Sequence, residues 1–175
     1  YVGSVMQNKK CREHIKGIAF QWAGKFAIAQ AAEDYPEVAF IHSEGECGDG
    51  NNTWDYAMYT YEMYHHYFKN GARANVYWNM ALDNDGLSSW GWRQNSLISV
   101  KNGEYRYNPE FYLVKHFAKF VKRGAVMLAT TGDFSSNTTF FENADGSRVA
   151  VIVNPFGFEK PVSLENTSYT LKPRS

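Results

Sequence analysis

Apolar runs and amphipathic segments alternate along the first two thirds of the chain. Residues 15–22, 37–44 and 75–82 are predominantly apolar runs of strand length, and they predict three buried strands. Between the last two runs, residues 54–69 repeat apolar side chains at close to 3.6 residues, which predicts a helix with one buried face. A shorter helix is predicted over residues 25–33, between the first two strands.

Two further elements have clear boundaries in the sequence. The Asn102-Gly103 dipeptide separates two short strand-like segments, and this predicts a hairpin with a type I′ turn. Directly afterwards, Asn108 and Pro109 are typical of a helix N-terminus, and Lys122 to Gly124 are typical of its end. The sequence therefore predicts a second long helix between these signals.

The pattern changes after Gly124, where helical periodicity is lost. Four short runs with strand character follow, separated by turn residues, at residues 125–131, 138–142, 148–153 and 161–164. We therefore predict an α/β domain over residues 1–123 and an all-β domain over residues 124–175. Strands separated by helices favour parallel βαβ units, and a barrel of eight such units needs about 250 residues. The first domain is then either a small open sheet or the last part of a larger barrel.

Composition and charge narrow the function classes. The 18 basic and 18 acidic residues balance, so no electrostatic feature favours a nucleic-acid partner. The longest aliphatic run, residues 149–153, is far shorter than the roughly 20 residues of a membrane span. Cys11 and Cys47 form neither a zinc motif nor a disulfide framework, and no cofactor is predicted. Three glycosylation sequons, at Asn51, Asn137 and Asn166, favour a secreted or extracellular protein.

Candidate chemistry collects where the predicted strands end. Parallel strands place functional groups at their carboxyl ends, and these ends carry Gln21, Trp22, Glu44 and Trp78. Tryptophan rings stack on sugar rings, amides hydrogen-bond hydroxyl groups, and a carboxylate can act at an anomeric carbon. The aromatic content, with 12 Tyr, 12 Phe and 5 Trp, fits such a ligand. Glu46 lies two residues after Glu44, so spacing alone leaves the identity of the functional carboxylate open.

Five stretches of the chain have distinctive sequences. They are residues 17–22 (GIAFQW), 43–48 (SEGECG), 74–82 (ANVYWNMAL), 90–98 (WGWRQNSLI) and 108–117 (NPEFYLVKHF). Together they resemble glycoside hydrolase family 30, the glucosylceramidase-like enzymes, and they occur in that family's order. The first resembles the sixth barrel strand, the second the nucleophile segment, the next two the last strand and its loop, and the fifth the final barrel helix.

This resemblance implies the last three βα units of a (β/α)8 barrel followed by part of a β-sandwich side domain. It also implies a retaining β-glycosidase that acts on a β-linked glycan or glycolipid. Glu44 corresponds to the nucleophile, and Trp78 to the residue that stacks on the glycone. Gln21, Trp22 and Asn95 correspond to residues that lie near the sugar.

The chain departs from the family pattern in two places. Gly45 and Glu46 lengthen the step between the nucleophile and the cysteine relative to the glucosylceramidase type. In the family, the general acid/base follows an asparagine, and no Asn-Glu pair occurs in this sequence. We therefore expect the acid/base upstream of Tyr1, in another part of the same enzyme. The alternatives are a non-catalytic carbohydrate-binding module and a metal- or thiol-dependent hydrolase that uses Cys47.

Overall fold

The computed structural model describes the backbone of residues 1–175 and every side chain except that of residue 84. The helices are α1 (Val2–Met6), α2 (Lys9–Arg12), α3 (Ile28–Asp34), α4 (Trp54–Lys69) and α5 (Pro109–Phe120). The strands are β1 (Gly17–Gln21), β2 (Ala39–Glu44), β3 (Ala72–Asn75), β4 (Ala81–Leu82), β5 (Ile98–Lys101), β6 (Glu104–Tyr107), β7 (Val126–Leu128), β8 (Thr138–Glu142), β9 (Arg148–Ile152), β10 (Lys160–Leu164) and β11 (Thr167–Leu171).

A parallel three-stranded sheet, in the order β1-β2-β3, forms the first half of the molecule. The connections between its strands contain α3 and α4, as βαβ units require. Side chains from the sheet and both helices form one core cluster, in which Phe20, Ile28, Phe40 and Tyr67 are buried. Burial of these large apolar side chains holds the carboxyl ends of the strands in fixed positions.

The third strand lies earlier than the apolar run at residues 75–82 predicts. Helix α4 ends at Lys69, and Gly71, whose φ of 83° is in the left-handed region, turns the chain directly into β3. β3 therefore uses Ala72–Asn75, and Trp78 lies in the loop beyond its end. Only the last two residues of the predicted strand form a second, separate strand, β4, which pairs with β5.

The region predicted as one helix at residues 25–33 contains two elements. A 3₁₀ turn over Trp22–Phe26 comes first, and α3 follows over Ile28–Asp34. The apolar pattern missed the turn because it begins at Trp22, a residue with a φ of 47°. Helices α1 and α2, near the N-terminus, were not predicted because both are too short to show a period.

Helix α4 has the predicted bounds, and α5 begins where the sequence predicts but ends at Phe120, two residues before Lys122. The Thr53 hydroxyl accepts a hydrogen bond from the Tyr56 amide at 3.2 Å and caps α4. Asn108 occupies the N-cap position of α5, and Pro109 follows it. The Asn108 side chain does not cap the helix but donates to the Ser96 carbonyl at 2.8 Å. Asn108 thus ties the start of α5 to the preceding loop.

Antiparallel strands follow α5. β7, β8 and β9 form one sheet, and β10 pairs with β11 in a hairpin. All four strand regions predicted after Gly124 contain a strand, and β11 is an additional one. Phe117 of α5 is 6% exposed because it packs with Tyr61, Phe141 and Val151 in a second core cluster.

Three further findings complete the description of the fold. Asn102 and Gly103 have φ values of 52° and 82°, as the predicted type I′ turn between β5 and β6 requires. None of the described helices combines the length and the apolar character of a membrane span. Among the described side chains, no group of three or more His, Cys, Asp or Glu residues is arranged to hold a metal ion.

Candidate active site

Glu44 stands at the carboxyl edge of the parallel sheet. It is the last residue of β2 and is half-buried. An irregularity in the pairing after Phe20 shifts the register, so Gln21 lies opposite Glu44 instead of Ser43. The last residues of two neighbouring strands therefore face each other, and their side chains meet.

The Glu44 carboxylate accepts hydrogen bonds from both of the strand-end residues that the sequence singled out. The Trp22 indole Nε1–H donates to Oε1 at 2.7 Å. With the Gln21 amide oriented so that its nitrogen faces the carboxylate, that nitrogen is 3.0 Å from Oε2 and 3.2 Å from Oε1. Donors in these positions stabilise the negative charge of an ionised carboxylate.

Trp22 reaches Glu44 through an uncommon backbone conformation. Its φ of 47° lies in the left-handed region, which a bulky side chain rarely occupies. The conformation ends β1 abruptly and starts the 3₁₀ turn over Trp22–Phe26. Strained residues of this kind persist only where their surroundings fix them, and they cluster at functional sites.

Trp78 lies beside the residue that follows Glu44. The Gly45 amide donates to the Val76 carbonyl at 3.1 Å, which brings the loop after β3 against the loop after β2. A side chain at position 45 would come within 3.6 Å of the Trp78 backbone nitrogen. The Trp78 indole donates to the Gln94 Oε1 at 3.3 Å and is half-buried, so part of the ring is accessible.

Asn95 occupies a different place from the one the resemblance implies. Its side chain has no solvent exposure. Its Oδ1 accepts from the Gly50 amide at 2.7 Å and from the Asn52 amide at 3.3 Å, and its Nδ2 donates to Glu110 at 2.6 Å. The predicted sugar contact does not fit this arrangement, because the amide is directed into the protein and is occupied by protein partners.

Asn95 instead fastens two loops together. The loop after Glu44 winds around the Asn95 side chain, and a Cβ at Gly48 would lie 2.5 Å from the Asn95 Cγ. A Cβ at Gly50 would lie 2.3 Å from that of Arg93. Both glycines have φ above 70°. The loop that follows the candidate nucleophile is therefore held against the loop before β5 by close backbone packing.

Glu110 accepts the hydrogen bond from the Asn95 amide and so helps to fix the side chain that joins the two loops. It lies in the first turn of α5 with no solvent exposure, and its second oxygen has no hydrogen-bond partner among the described residues. The Tyr77 hydroxyl, which is also buried and unpaired, lies close to the same carboxyl. Burial raises the pKa of Glu110 above its ordinary value of 4.5. The folded protein therefore favours the protonated, neutral carboxyl.

This shift predicts a pH-dependent stability that Glu110→Gln removes. As pH rises above 4.5, the unfolded chain loses the Glu110 proton before the folded chain does, so the free energy of unfolding falls. Glutamine keeps the acceptor for Asn95 and does not titrate. Urea unfolding of the full-length protein should show the variant gaining stability over the parent as pH rises from 4.5 to neutrality. Parallel pH curves for the two proteins would contradict the prediction.

Glu46 is held in a separate polar cluster. The Lys25 ammonium donates to Oε1 at 2.6 Å, and the Tyr59 hydroxyl donates to Oε2 at 2.6 Å. Lys25 also donates to the Tyr59 oxygen at 2.7 Å, which closes a triangle of hydrogen bonds. Although burial raises the pKa of Glu46, the hydrogen bonds from Lys25 and Tyr59 lower it overall. Both Glu46 oxygens accept from protein donors, as the Glu44 oxygens do, but Glu46 is held in an ion pair and lies in the loop beyond the strand end.

Cys47 has the character of a packing residue. It is 9% exposed, and burial raises the pKa of its thiol. A thiol must ionise to act as a nucleophile, so this environment disfavours a thiol-dependent reaction. In the loop between β4 and β5, Trp90 and Trp92 stack with their ring centroids 5.6 Å apart, and they are 72% and 50% exposed. They are part of the aromatic excess seen in the composition.

Comparison with known proteins was made by sequence and by structure. No protein-family model matches the chain. An endo-1,6-β-D-glucanase of Trichoderma harzianum is 31% identical over 110 residues, which are 57% of this chain and 22% of that protein. The lysosomal acid glucosylceramidase of Mus musculus is 22% identical over 184 residues, 93% of this chain and 35% of that protein.

Solved structures extend the likeness to nearly the whole chain. An endo-β1,6-glucanase matches 99% of this chain with a TM-score of 0.81 and 24% identity, and 42% of that structure is covered. The catalytic domain of a GH30 xylanase C from Talaromyces cellulolyticus matches 89% of this chain with a TM-score of 0.63 and 17% identity, over 36% of its length. The predicted resemblance to glycoside hydrolase family 30 is confirmed. The chain resembles a C-terminal portion of the family's proteins.

The fold class is confirmed by the same comparison. The family 30 neighbours combine a (β/α)8 barrel with a β side domain, and the chain has the fold of about 40% of such a protein. It spans less than a quarter of the curated glucanase that it matches and about a third of the glucosylceramidase. Activity and substrate of the whole protein are therefore matters of proposal.

The structure brings together Gln21, Trp22 and Glu44, which the sequence analysis selected as candidates. The sequence analysis gave no role to Lys25 and Tyr59, which contact Glu46. Lys25 and Tyr59 lie on elements far apart in the chain, so no local pattern joins them. The longer step formed by Gly45 and Glu46 was the available signal, because an inserted charged residue next to a candidate nucleophile requires a partner.

Proposed function

We propose that this chain carries the nucleophile half of a retaining β-glycoside hydrolase, with Glu44 as the nucleophile. The observation that carries the proposal is the pair of donors, Trp22 and Gln21, directed at one strand-end carboxylate. The relatives support the reaction class, since both a glucanase and a glucosylceramidase by name act on glucosides. These names favour a β-linked glucose unit as the glycone.

The proposed reaction uses the Glu44 carboxylate as the attacking group. One Glu44 oxygen attacks the anomeric carbon, the bond to the leaving oxygen breaks, and a glycosyl ester forms. A carboxylic acid about 5–5.5 Å away protonates the leaving oxygen and then takes a proton from the water that hydrolyses the ester. We infer that this second carboxyl comes from a part of the enzyme upstream of Tyr1. Glu46 is a poor alternative because Lys25 and Tyr59 occupy both its oxygens.

The remaining assignments are inferred from the same interpretation. Residues 1–123 would be the C-terminal part of the barrel and residues 124–175 part of the side domain. The change from parallel to antiparallel strands after α5 supports this division. The three sequons support passage through the secretory pathway.

Covalent trapping tests the proposed nucleophile. A 2-deoxy-2-fluoro-β-glucosyl fluoride slows hydrolysis of the ester, so the full-length enzyme should accumulate a labelled peptide that maps to Glu44. Azide should restore turnover to Glu44→Gly and yield an α-glycosyl azide, because the small anion replaces the missing carboxylate. Binding of glucosides without label or hydrolysis would instead favour the carbohydrate-binding module.

Trp78 is proposed to form part of the wall of the glycone site. Aromatic contacts of this kind contribute roughly 0.5–1.5 kcal/mol beyond area burial, so Trp78→Ala should weaken binding of a glucose-like inhibitor up to about tenfold. The melting temperature should change less, because the ring is only half-buried. The control is Trp54→Ala on α4, where Trp54 stacks on Tyr112. Unchanged inhibitor binding by Trp78→Ala would make Trp78 a packing residue.

A further inference from the structure

Lys25, Glu46 and Tyr59 form a cluster that contains a partly buried ion pair, and none of the three residues takes part in the proposed chemical steps. The ion pair is partly buried, with 19% of the Lys25 side chain and 27% of the Glu46 side chain exposed. Desolvating two charges is costly unless their geometry is good and further hydrogen bonds complete it. Here the Tyr59 hydroxyl completes it, since it donates to Glu46 and accepts from Lys25. Such a closed arrangement fixes all three side chains.

The cluster joins the two segments that meet at the candidate nucleophile. Lys25 lies in the 3₁₀ turn that begins at Trp22, only three residues after the indole that donates to Glu44. Glu46 lies two residues after Glu44, on the loop that leaves β2. The ion pair therefore spans from the donor segment to the nucleophile segment, beside the Trp22–Glu44 hydrogen bond.

Helix α4 provides the fixed support for this bridge. Tyr59 is on α4, and His66, two turns further along the same face of this helix, has its Nε2 2.8 Å from the Lys25 carbonyl oxygen. The turn is thus attached to α4 by both the Lys25 side chain and its main chain. On its other side, a Cβ at Gly24 would lie 3.1 Å from the Phe20 Cβ, so the turn is packed tightly onto β1.

The backbone conformation of Trp22 requires support from surrounding contacts. A φ of 47° is unfavourable for tryptophan and persists only where surrounding contacts determine it. Without the attachment at Lys25, the turn could relax and the indole N–H would move from the Glu44 oxygen. A displacement of about 1 Å in a catalytic group can lower a rate by about 100-fold.

We propose that Lys25 and Glu46 are positioning residues that, with Tyr59, hold Trp22 in its left-handed conformation and so orient Glu44 for attack. This inference rests on the proposed function, because it takes Glu44 as the nucleophile. It gives the additional residue between Glu44 and Cys47 a role, since Glu46 supplies the carboxylate that the Lys25 ammonium requires.

The test measures formation of the glycosyl ester in the full-length enzyme. For each variant, the rate constant for labelling and the dissociation constant of the fluoro-glucosyl fluoride are determined separately. Lys25→Met and Glu46→Gln should lower the rate constant about 10- to 100-fold and leave the dissociation constant within about twofold of the parent value. Tyr59→Phe keeps the ring and should give a smaller loss, and it serves if either charge variant fails to fold. Lys9→Met, which alters an exposed lysine on α2, is the matched control.

A double-substitution cycle separates positioning from general stability. If Lys25 acts through Trp22, then Lys25→Met should have little further effect on the labelling rate in a Trp22→Phe background. A purely structural role would give the same loss in both backgrounds. Exchange of the charges, Lys25→Glu with Glu46→Lys, should recover part of the rate lost by either single variant.

The outcomes distinguish this inference from the proposed function. Label that never maps to Glu44 in the parent enzyme overturns the proposed function. Label at Glu44 with a parental rate constant in Lys25→Met and Glu46→Gln overturns the positioning role alone. A rise in the dissociation constant with an unchanged rate constant also overturns the positioning role, because the cluster would then contact substrate.

Discussion

Glu44→Gln should lower turnover of a β-glucoside by roughly 10⁴-fold or more in the full-length enzyme, with the fold retained. The size of the effect follows from the chemistry, since an amide cannot form the glycosyl ester and loss of a covalent nucleophile costs several orders of magnitude. The fold should persist because glutamine has the same shape and its oxygen can still accept from Trp22. Steady-state kinetics and a melting curve measure the two expectations together.

Two further carboxamide variants make the result specific. Glu33→Gln changes an exposed carboxylate on α3 and should leave turnover unchanged. Glu46→Gln should lower it far less than Glu44→Gln. If Glu46→Gln abolished turnover while Glu44→Gln retained it, the nucleophile would lie two residues further along the chain.

The candidate residues whose location in the fold could be predicted are those whose position depends on local backbone geometry. Gln21 and Glu44 end apolar runs, and strand ends in parallel sheets meet at one edge. The pairing of Gln21 with Glu44 depends on a register shift that has no sequence signature, so their contact could be expected but its geometry could not.

The misplaced third strand shows how a local pattern can mislead. The aromatic run around Tyr77 and Trp78 has strand-like composition, yet the strand is the less apolar Ala72–Asn75. Pairing with β2 decides this, because β3 must follow α4 directly to lie beside Phe40 and His42. Tertiary pairing therefore overrode β-propensity.

Burial of α5 illustrates the same limit for packing. The apolar face of this helix is evident from the sequence, but the surface that covers it is not. Phe141 and Val151 come from strands β8 and β9, which follow α5 in the chain. The antiparallel strands thus complete the core beneath α4 and α5, and no local pattern within α5 identifies those strands as its cover.

Asn95→Ala should have the second large effect, a loss of stability. This variant tests whether Asn95 contacts the sugar or holds two loops of the protein together. Removal of the amide leaves the Gly50 and Asn52 amides and the Glu110 carboxyl without their partner in a buried site. Each buried unpaired polar group costs about 1–3 kcal/mol. We therefore expect Asn95→Ala to lower the free energy of unfolding by about 3 kcal/mol, measured by urea denaturation of the full-length protein.

The control is Gln30→Ala, an exposed amide on α3 that should change stability by less than about 0.5 kcal/mol. A residue that contacts only the sugar would behave oppositely to our expectation for Asn95. Its loss would weaken inhibitor binding and leave the denaturation curve in place. Turnover should fall in Asn95→Ala as well, because the loop after Glu44 is wound around the Asn95 side chain. Gly48 and Gly50 of that loop pack closely against Asn95 and Arg93, so loss of the amide should loosen the loop. A variant with parental stability and selectively weakened inhibitor binding would restore Asn95 to the substrate site.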